Sequence, residues 1–272
     1  MWSNKSGGGP EQATNNLTEI VPHLFKYNKD APGFYDTPEK ELLQMAHDHY
    51  NSREGVLSAF SSWSASLHLV LCYASWTGPE EKPHIAVMDT ENIEPGVLIW
   101  HCPDLDKTFG VHEYLAYGKI RGERGYRAVS LEVLKTRGVL DLFPELEDTE
   151  CFGDKFGHTL RLDMFEKEAA SPSDEDFEIA EELAKKFGPL FFPVYLAMLC
   201  LVPRAWYIND AGVCGDREII EKVADILDQF GGRPTPPFWG SKWLEIGTVK
   251  ALGFPDVRQW IGLLSAIVEA MN

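Results

Sequence analysis

The spacing of apolar residues changes partway along this chain. Up to about residue 145 they fall in short runs with strand-like alternation, broken by brief helical stretches. From Ser173 onward they recur every three or four residues, as on amphipathic helices. In the first part, Val21–Tyr27 alternates weakly and predicts an opening strand, closed by the turn pair Pro32-Gly33. Lys40–Tyr50 follows the cap-like Asp36-Thr-Pro-Glu39 and carries Leu42, Leu43, Ala46 and His49 or Tyr50 at helical spacing. Val56–Ser62 then runs into a second helix, which Ser64 is placed to cap, with Leu67, Leu71 and Ala74 as one apolar stripe and Val70 beside it. His84–Asp89, Gly96–His101, Glu113–Ile120 and Tyr126–Val129 predict further strands, and Ser130–Gly138 predicts a helix ended by its glycine.

The second part reads as helical throughout. Ser173–Phe187 places Phe177, Ala180, Leu183, Ala184 and Phe187 on one face and stops at Gly188-Pro189. Val194–Val202, Asp216–Phe230, Ser241–Leu252 and Asp256–Met271 predict four more helices. Strands separated by few helices, followed by helices alone, imply an α+β domain with a helical region after it. The expected organisation is a flexible lead over 1–19, an α+β domain over 20–145, an acidic linker over 146–172 and an all-helical region over 173–272. Neither an internal repeat nor a heptad pattern of coiled-coil length is present. The longest apolar run, Leu190–Val202, is interrupted by Pro193 and is shorter than the roughly 20 residues a membrane span needs.

Composition narrows the classes of function. A formal net charge of −17 argues against gripping nucleic acid or an anionic membrane, because both need a cationic face. The charge is uneven: Lys107–Arg137 holds seven cations and three acids, and Glu145–Glu182 holds fourteen acids and three cations. A phosphate-bearing small molecule would therefore meet the first part, unless these are simply two differently solvated faces. The five cysteines, odd in number and widely spaced, form no Cys-x-x-Cys pair, so neither a disulfide framework nor a zinc knuckle is indicated. No apolar stretch opens the chain, and an intracellular, reducing compartment is the expectation. His47 and His49 stand two apart on a predicted helix, about 200° around its axis, and do not converge on a metal. His101-Cys102 and His112 are the remaining candidates for a thiol–imidazole pair, with nothing in the spacing to bring them together.

The strongest candidate chemistry is a Ser62-Trp63-Ser64 segment at a strand-to-helix turn, followed by Glu113-Tyr114-Leu115 on a later strand, with Leu24-Phe25-Lys26 before both. Singly, each has a plain role: Ser64 as a helix cap, Trp63 as a core residue, Glu113 as a solvated strand residue. In this order they resemble the Arg-Ser-Glu arrangement of ADP-ribosyltransferase-like domains. They are also similar to an uncharacterised fungal family whose members read approximately Leu-Phe-Arg-Val-His, Ser-Trp-Thr/Ser-x-Ser-Leu and Gly-Glu-Tyr-Leu, an overlap of roughly Val21–Leu140.

The resemblance implies an ADP-ribosyltransferase-like mixed sheet and NAD as the substrate. Glu113 takes the place of the catalytic glutamate, and Ser62 and Ser64 that of the Ser-x-Ser. Lys26 or Arg121 would supply charge for the diphosphate, and Trp63, Tyr114 or Tyr117 a stacking face for nicotinamide. A carboxylate facing an oxocarbenium-like transition state lowers the barrier to glycosidic cleavage. Two positions depart from the pattern. Lys26 stands where arginine's planar fork is usual, and Val111 stands where families that modify arginine carry an acid or amide, so arginine-directed transfer is not implied. The expected activity is ADP-ribosyl transfer to a protein or other acceptor, or NAD cleavage. The alternative is a non-catalytic binding module acting through protein contacts, in which Pro234–Trp239 and its neighbouring helices matter most.

Overall fold

The computed structural model describes residues 1–4, 15–28, 32–51, 56–110, 113–122, 125–147, 164–204, 208–209, 212–213, 217–229 and 254–271. It is an α+β protein whose chain divides into two compact units, residues 1–65 with 73–133, and residues 66–72 with 134–272. The division falls earlier than the expected boundary near residue 145.

The first unit is built on short antiparallel strands. A three-stranded sheet has the order β2 (Phe60–Ser64), β5 (Glu113–Tyr117), β4 (Leu98–His101). Two further pairs join β1 (Glu19–Ile20) to β6 (Ile120–Arg121) and β3 (His84–Met88) to β7 (Tyr126–Ser130). Alternation along β5 sets its two faces. Leu115 and Tyr117 enter a cluster with Leu42, Ala46, Phe60, Cys102 and Phe109, and Ala116 enters another with Trp2, Ile20, Ile120 and Tyr126. The expected single strand over 113–120 is divided at Gly118, whose φ of +112° turns the chain where a Cβ would press on the Gly96 carbonyl at 3.4 Å.

Helix α2 (Glu39–Tyr50) covers the first of these faces, with Leu42 and Ala46 buried. It has no side-chain cap: Thr37 spends its hydroxyl on the Gly33 carbonyl. The expected opening strand over 21–27 is instead helix α1 (His23–Tyr27), started by Pro22, whose carbonyl accepts from the Phe25 and Lys26 amides. Its successive residues Leu24 and Phe25 both pack on the Leu115 cluster, which is why the alternation there is weak.

Helix α3 (Leu67–Trp76) follows β2. Its cap is Ser66, which accepts the Leu69 amide at 3.0 Å; Ser64, the expected cap, is the last residue of β2. The short helix α4 (Cys102–Leu105) follows β4, and α5 (Leu131–Thr136) follows β7.

The second unit contains α6 (Val139–Leu142), α7 (Asp174–Ala184), α8 (Phe191–Leu199), α9 (Arg217–Gln229) and α10 (Pro255–Met271). Ser173 and Asp176 form a reciprocal capping box at the start of α7, and Phe177, Ala180, Leu183, Ala184 and Phe187 are all buried, as their spacing predicts. Gly188, at φ +57°, kinks the chain before α8. Gln259 of α10 is fully buried, donating to the Cys200 and Val202 carbonyls and accepting the Arg204 amide at 2.7 Å. Ser66 donates to Asp256 at 2.7 Å, fastening the start of α3 to the start of α10.

The region is not all-helical: Ile208–Asn209 (β8) and Gly212–Val213 (β9) pair as a small hairpin. The expected helix over 241–252, the Pro234–Trp239 loop and most of the acidic linker lie outside the described residues. Among the described residues no helix is long and apolar enough to cross a membrane.

Candidate functional site

The register of β2 against β5 brings the sequence-predicted carboxylate and serines together. Ser64 is the cross-strand partner of Glu113, and Ser62 that of Leu115. Cross-strand partners share a face and residues two apart on a strand share it too, so Ser62, Ser64 and Glu113 occupy one side of the sheet. This is the side that α2 covers. The Ser62 hydroxyl lies near enough to the Glu113 carboxylate to favour its charged form.

The same register separates Trp63 and Tyr114 from that group. They pair with each other on the opposite face, where Trp63 packs on the Trp2–Tyr126 cluster and donates its indole N–H to Ser61 at 2.9 Å. Tyr114 lies 5.1 Å from the His101 ring, centroid to centroid. Neither shares the face of Glu113, because a residue one step along a strand points the other way. Tyr117 does share the face of Glu113, but it is buried among Phe25, Phe34 and Phe60, with its hydroxyl on the Pro32 carbonyl.

Of the two expected cations, Arg121 sits on β6, ion-paired with Glu19 at 2.6 Å, and its amide donates to Glu94. Lys26 is exposed on α1 with its ammonium 5.4 Å from the Tyr27 ring centroid. Among the described residues Glu113 has no ion-pair partner. Burial pushes its carboxyl above the usual range, and the nearby Ser62 hydroxyl offsets part of that rise.

One residue of this group was not singled out from the sequence. His49, in the last turn of α2, places Nε2 3.2 Å from Ser62 Oγ. Burial, with a smaller contribution from nearby His23, lowers its pKa to about 4, so the ring is neutral at ordinary pH. His23, on α1, is itself lowered by burial and by Lys26. The signal for His49 was its place in the stripe Leu42, Ala46, His49, which marks the face that α2 buries. The pattern could not say that a serine would meet it.

The thiol–imidazole reading finds no support in the geometry. Cys102 is buried and its thiol is pushed up to about 12, by burial and then by the charge of Glu113; His112 lies outside the described residues. His47 and His49 have different partners, Asn51 and Ser62. Among the described residues no cluster of His, Cys, Asp and Glu is arranged to hold a metal ion. An open groove of about 500 Å³ runs along α2, lined in part by Leu43, His47, Leu105 and Phe109; Glu113 is not among its lining residues.

What the group offers chemically is a partly buried carboxylate on the same face as the Ser62 and Ser64 hydroxyls, with the neutral His49 ring on Ser62 and no ion-pair partner of the carboxylate among the described residues. Such an anion is suited to meet a developing positive charge. Residues 2–128 match the family model of a domain of unknown function, DUF7587, which bears out the expected likeness to an uncharacterised family over this part of the chain. No curated protein and no solved structure matches the chain.

Proposed function

Starting from a family match that brings no assigned chemistry, we propose that the first unit is an ADP-ribosyltransferase-like domain that cleaves NAD at its nicotinamide glycosidic bond, with Glu113 as the stabilising carboxylate. One observation carries the reading: the cross-strand pairing of Ser64 with Glu113, which sets the Ser-x-Ser and the glutamate side by side. In the reaction, the bond between nicotinamide nitrogen and ribose C1′ breaks with its electron pair going to nicotinamide, which leaves neutral. Glu113 accepts a hydrogen bond from a ribose hydroxyl and faces the oxocarbenium charge. A nucleophile on an acceptor, a protein side chain among the candidates, or water then adds at C1′ and gives up its proton. Exposed Lys26 is the cation suited to the diphosphate, as a point charge and not a fork.

Calorimetric titration with NAD, followed by assay of released nicotinamide, tests this. Glu113→Gln is expected to keep NAD binding and the fold and to lose release by about a thousandfold, the order of one well-placed electrostatic contact in a dry site. Unchanged turnover in that variant sinks the assignment. A second reading, a binding module that has kept the scaffold without the chemistry, is favoured by the engagement of Trp63 and Arg121 away from Glu113. Absence of NAD binding at millimolar concentration would give it the lead.

A further inference from the structure

We propose that Ser62 is a nucleophile toward esters: His49 Nε2 takes the proton of its hydroxyl, and its own main-chain N–H meets the oxyanion that forms. Two geometric observations carry this. The first is the contact of 3.2 Å between His49 Nε2 and Ser62 Oγ, within the reach that a serine nucleophile and its base need. His49 is held in place for it. Leu42 and Ala46 anchor α2 in the core, and the imidazole lies 6.3 Å from the ring of buried Phe60, which is two residues before Ser62 and on its face. Ser62 itself is exposed, so an incoming carbonyl can reach Oγ. The second observation comes from the ladder. Strand β2 is an edge of its sheet. The Gly118 amide donates to the Ala59 carbonyl at 3.1 Å, continuing the β2–β5 register, so Ala59, Ser61 and Trp63 turn their main-chain groups to β5. Ser62 therefore turns its N–H off the sheet edge, where no group among the described residues accepts it.

Burial keeps the His49 ring neutral at ordinary pH, which leaves one ring nitrogen with a lone pair. With the ring proton on Nδ1, Nε2 presents that lone pair to the hydroxyl. In the first step Oγ bonds to the acyl carbon of a carboxylic ester, the Ser62 proton passes to Nε2, and the carbonyl electrons move to the oxygen that the Ser62 N–H meets. Collapse breaks the bond from acyl carbon to alcohol oxygen, and the alcohol leaves with the proton from Nε2. Water then adds to the acyl-serine with Nε2 as base, releasing the acid and restoring the hydroxyl. Glu113, the cross-strand partner of Ser64 on the same face, repels anionic acyl groups, so the substrate class is an ester of a neutral or cationic acid. A ring that resists protonation is a weak base, so a covalent adduct is a more sensitive readout than turnover. This activity goes beyond the NAD reading and does not rest on it.

The test treats the full chain with a fluorophosphonate, which forms a phosphorus–oxygen bond to an activated serine as fluoride leaves and the serine proton passes to the base. Peptide mass mapping is expected to place the adduct on Ser62 and to find it lost in Ser62→Ala and in the chain unfolded by urea. His49→Gln, whose amide can bond the hydroxyl without taking its proton, and His49→Phe are each expected to slow labelling about a hundredfold. The ¹⁵N spectrum of histidine-labelled protein at neutral pH, assigned through His49→Gln, is expected to show His49 protonated at Nδ1 and bare at Nε2. Absence of an adduct on Ser62 in the folded chain overturns the proposal. So does a label spread evenly over Ser61, Ser62 and Ser64, a labelling rate unchanged in a folded His49→Gln, or a ring proton on Nε2. Should the His49 variants fail to fold, as circular dichroism would report, the site of the adduct and the tautomer decide. Because no readout uses NAD, the nucleophile and the proposed NAD cleavage stand or fall separately.

Discussion

Arg204 should be worth about 3 kcal/mol to the second unit, about two thirds of it through one partner. Its side chain is 5% exposed, and its guanidinium makes two hydrogen bonds of 3.1 Å to Asp176, with a third from Nε to the Leu199 carbonyl at the end of α8. At an effective dielectric of 20 and about 4 Å between charge centres, the attraction is about 4 kcal/mol. Desolvation removes part of that, and the part is limited because the Asp176 side chain keeps 21% of its exposure. Arg204→Met therefore loses about 3 kcal/mol, including about 1 kcal/mol for the Leu199 carbonyl. Asp176→Asn loses a similar amount, because Asp176 also accepts the Ser173 amide in the capping box of α7.

The double variant should lose less than the sum of the two, by a coupling of about 2 kcal/mol. Urea denaturation followed by far-ultraviolet circular dichroism measures all three. Burial pushes the Asp176 carboxyl up, but hydrogen bonds from Arg204 and Ser173 outweigh it and hold the group below its usual range. The pair's contribution is therefore present at neutral pH and is lost as pH falls through the depressed folded-state value, and Arg204→Met should flatten that acid limb. A coupling below about 0.5 kcal/mol, or an acid limb unchanged in Arg204→Met, would refute the reasoning.

Three other outcomes follow from single contacts. Ser66→Ala removes both the α3 cap and the donor to buried Asp256 and should cost about 2 kcal/mol in denaturation midpoint analysis. Gly125→Ala would set a methyl group into the Asn92 carbonyl oxygen and 3.1 Å from the Ile93 amide, so thermal unfolding should report a loss of about 1–3 kcal/mol. His49 resists protonation down to about 4 when folded and takes a proton near 6.5 when unfolded, so the folded state loses stability as pH falls between those values. A pH series on His49→Gln should show that acid loss reduced by about 3 kcal/mol relative to wild type, and equal slopes would contradict it.

Much of the fold was legible in the sequence because period and punctuation are local properties. The stripe Phe177, Ala180, Leu183, Ala184 fixes α7 without reference to anything distant, and Gly188 kinks the chain after it through its own φ. The alternation of β5 and the order Ser62, Ser64, Glu113 were equally visible. What the sequence could not supply was pairing. Trp63 looks as close to the site as its neighbouring serines, and only the β2–β5 register turns it to the other face. Ser64 and Ser66 are equivalent as cap candidates until the strand's last residue is known. Asp256, nearly two hundred positions from Ser66, becomes its partner only through the packing of α10. His49 likewise meets Ser62 only because α2 lies on the face that carries that serine. The chain by itself determined most of the inward residues and most of the helices and strands, with His23–Tyr27 and the 208–213 hairpin as exceptions, since those depend largely on neighbours a few residues away. Tertiary structure alone decided which inward and polar groups meet, because that depends on register and docking between segments far apart in sequence.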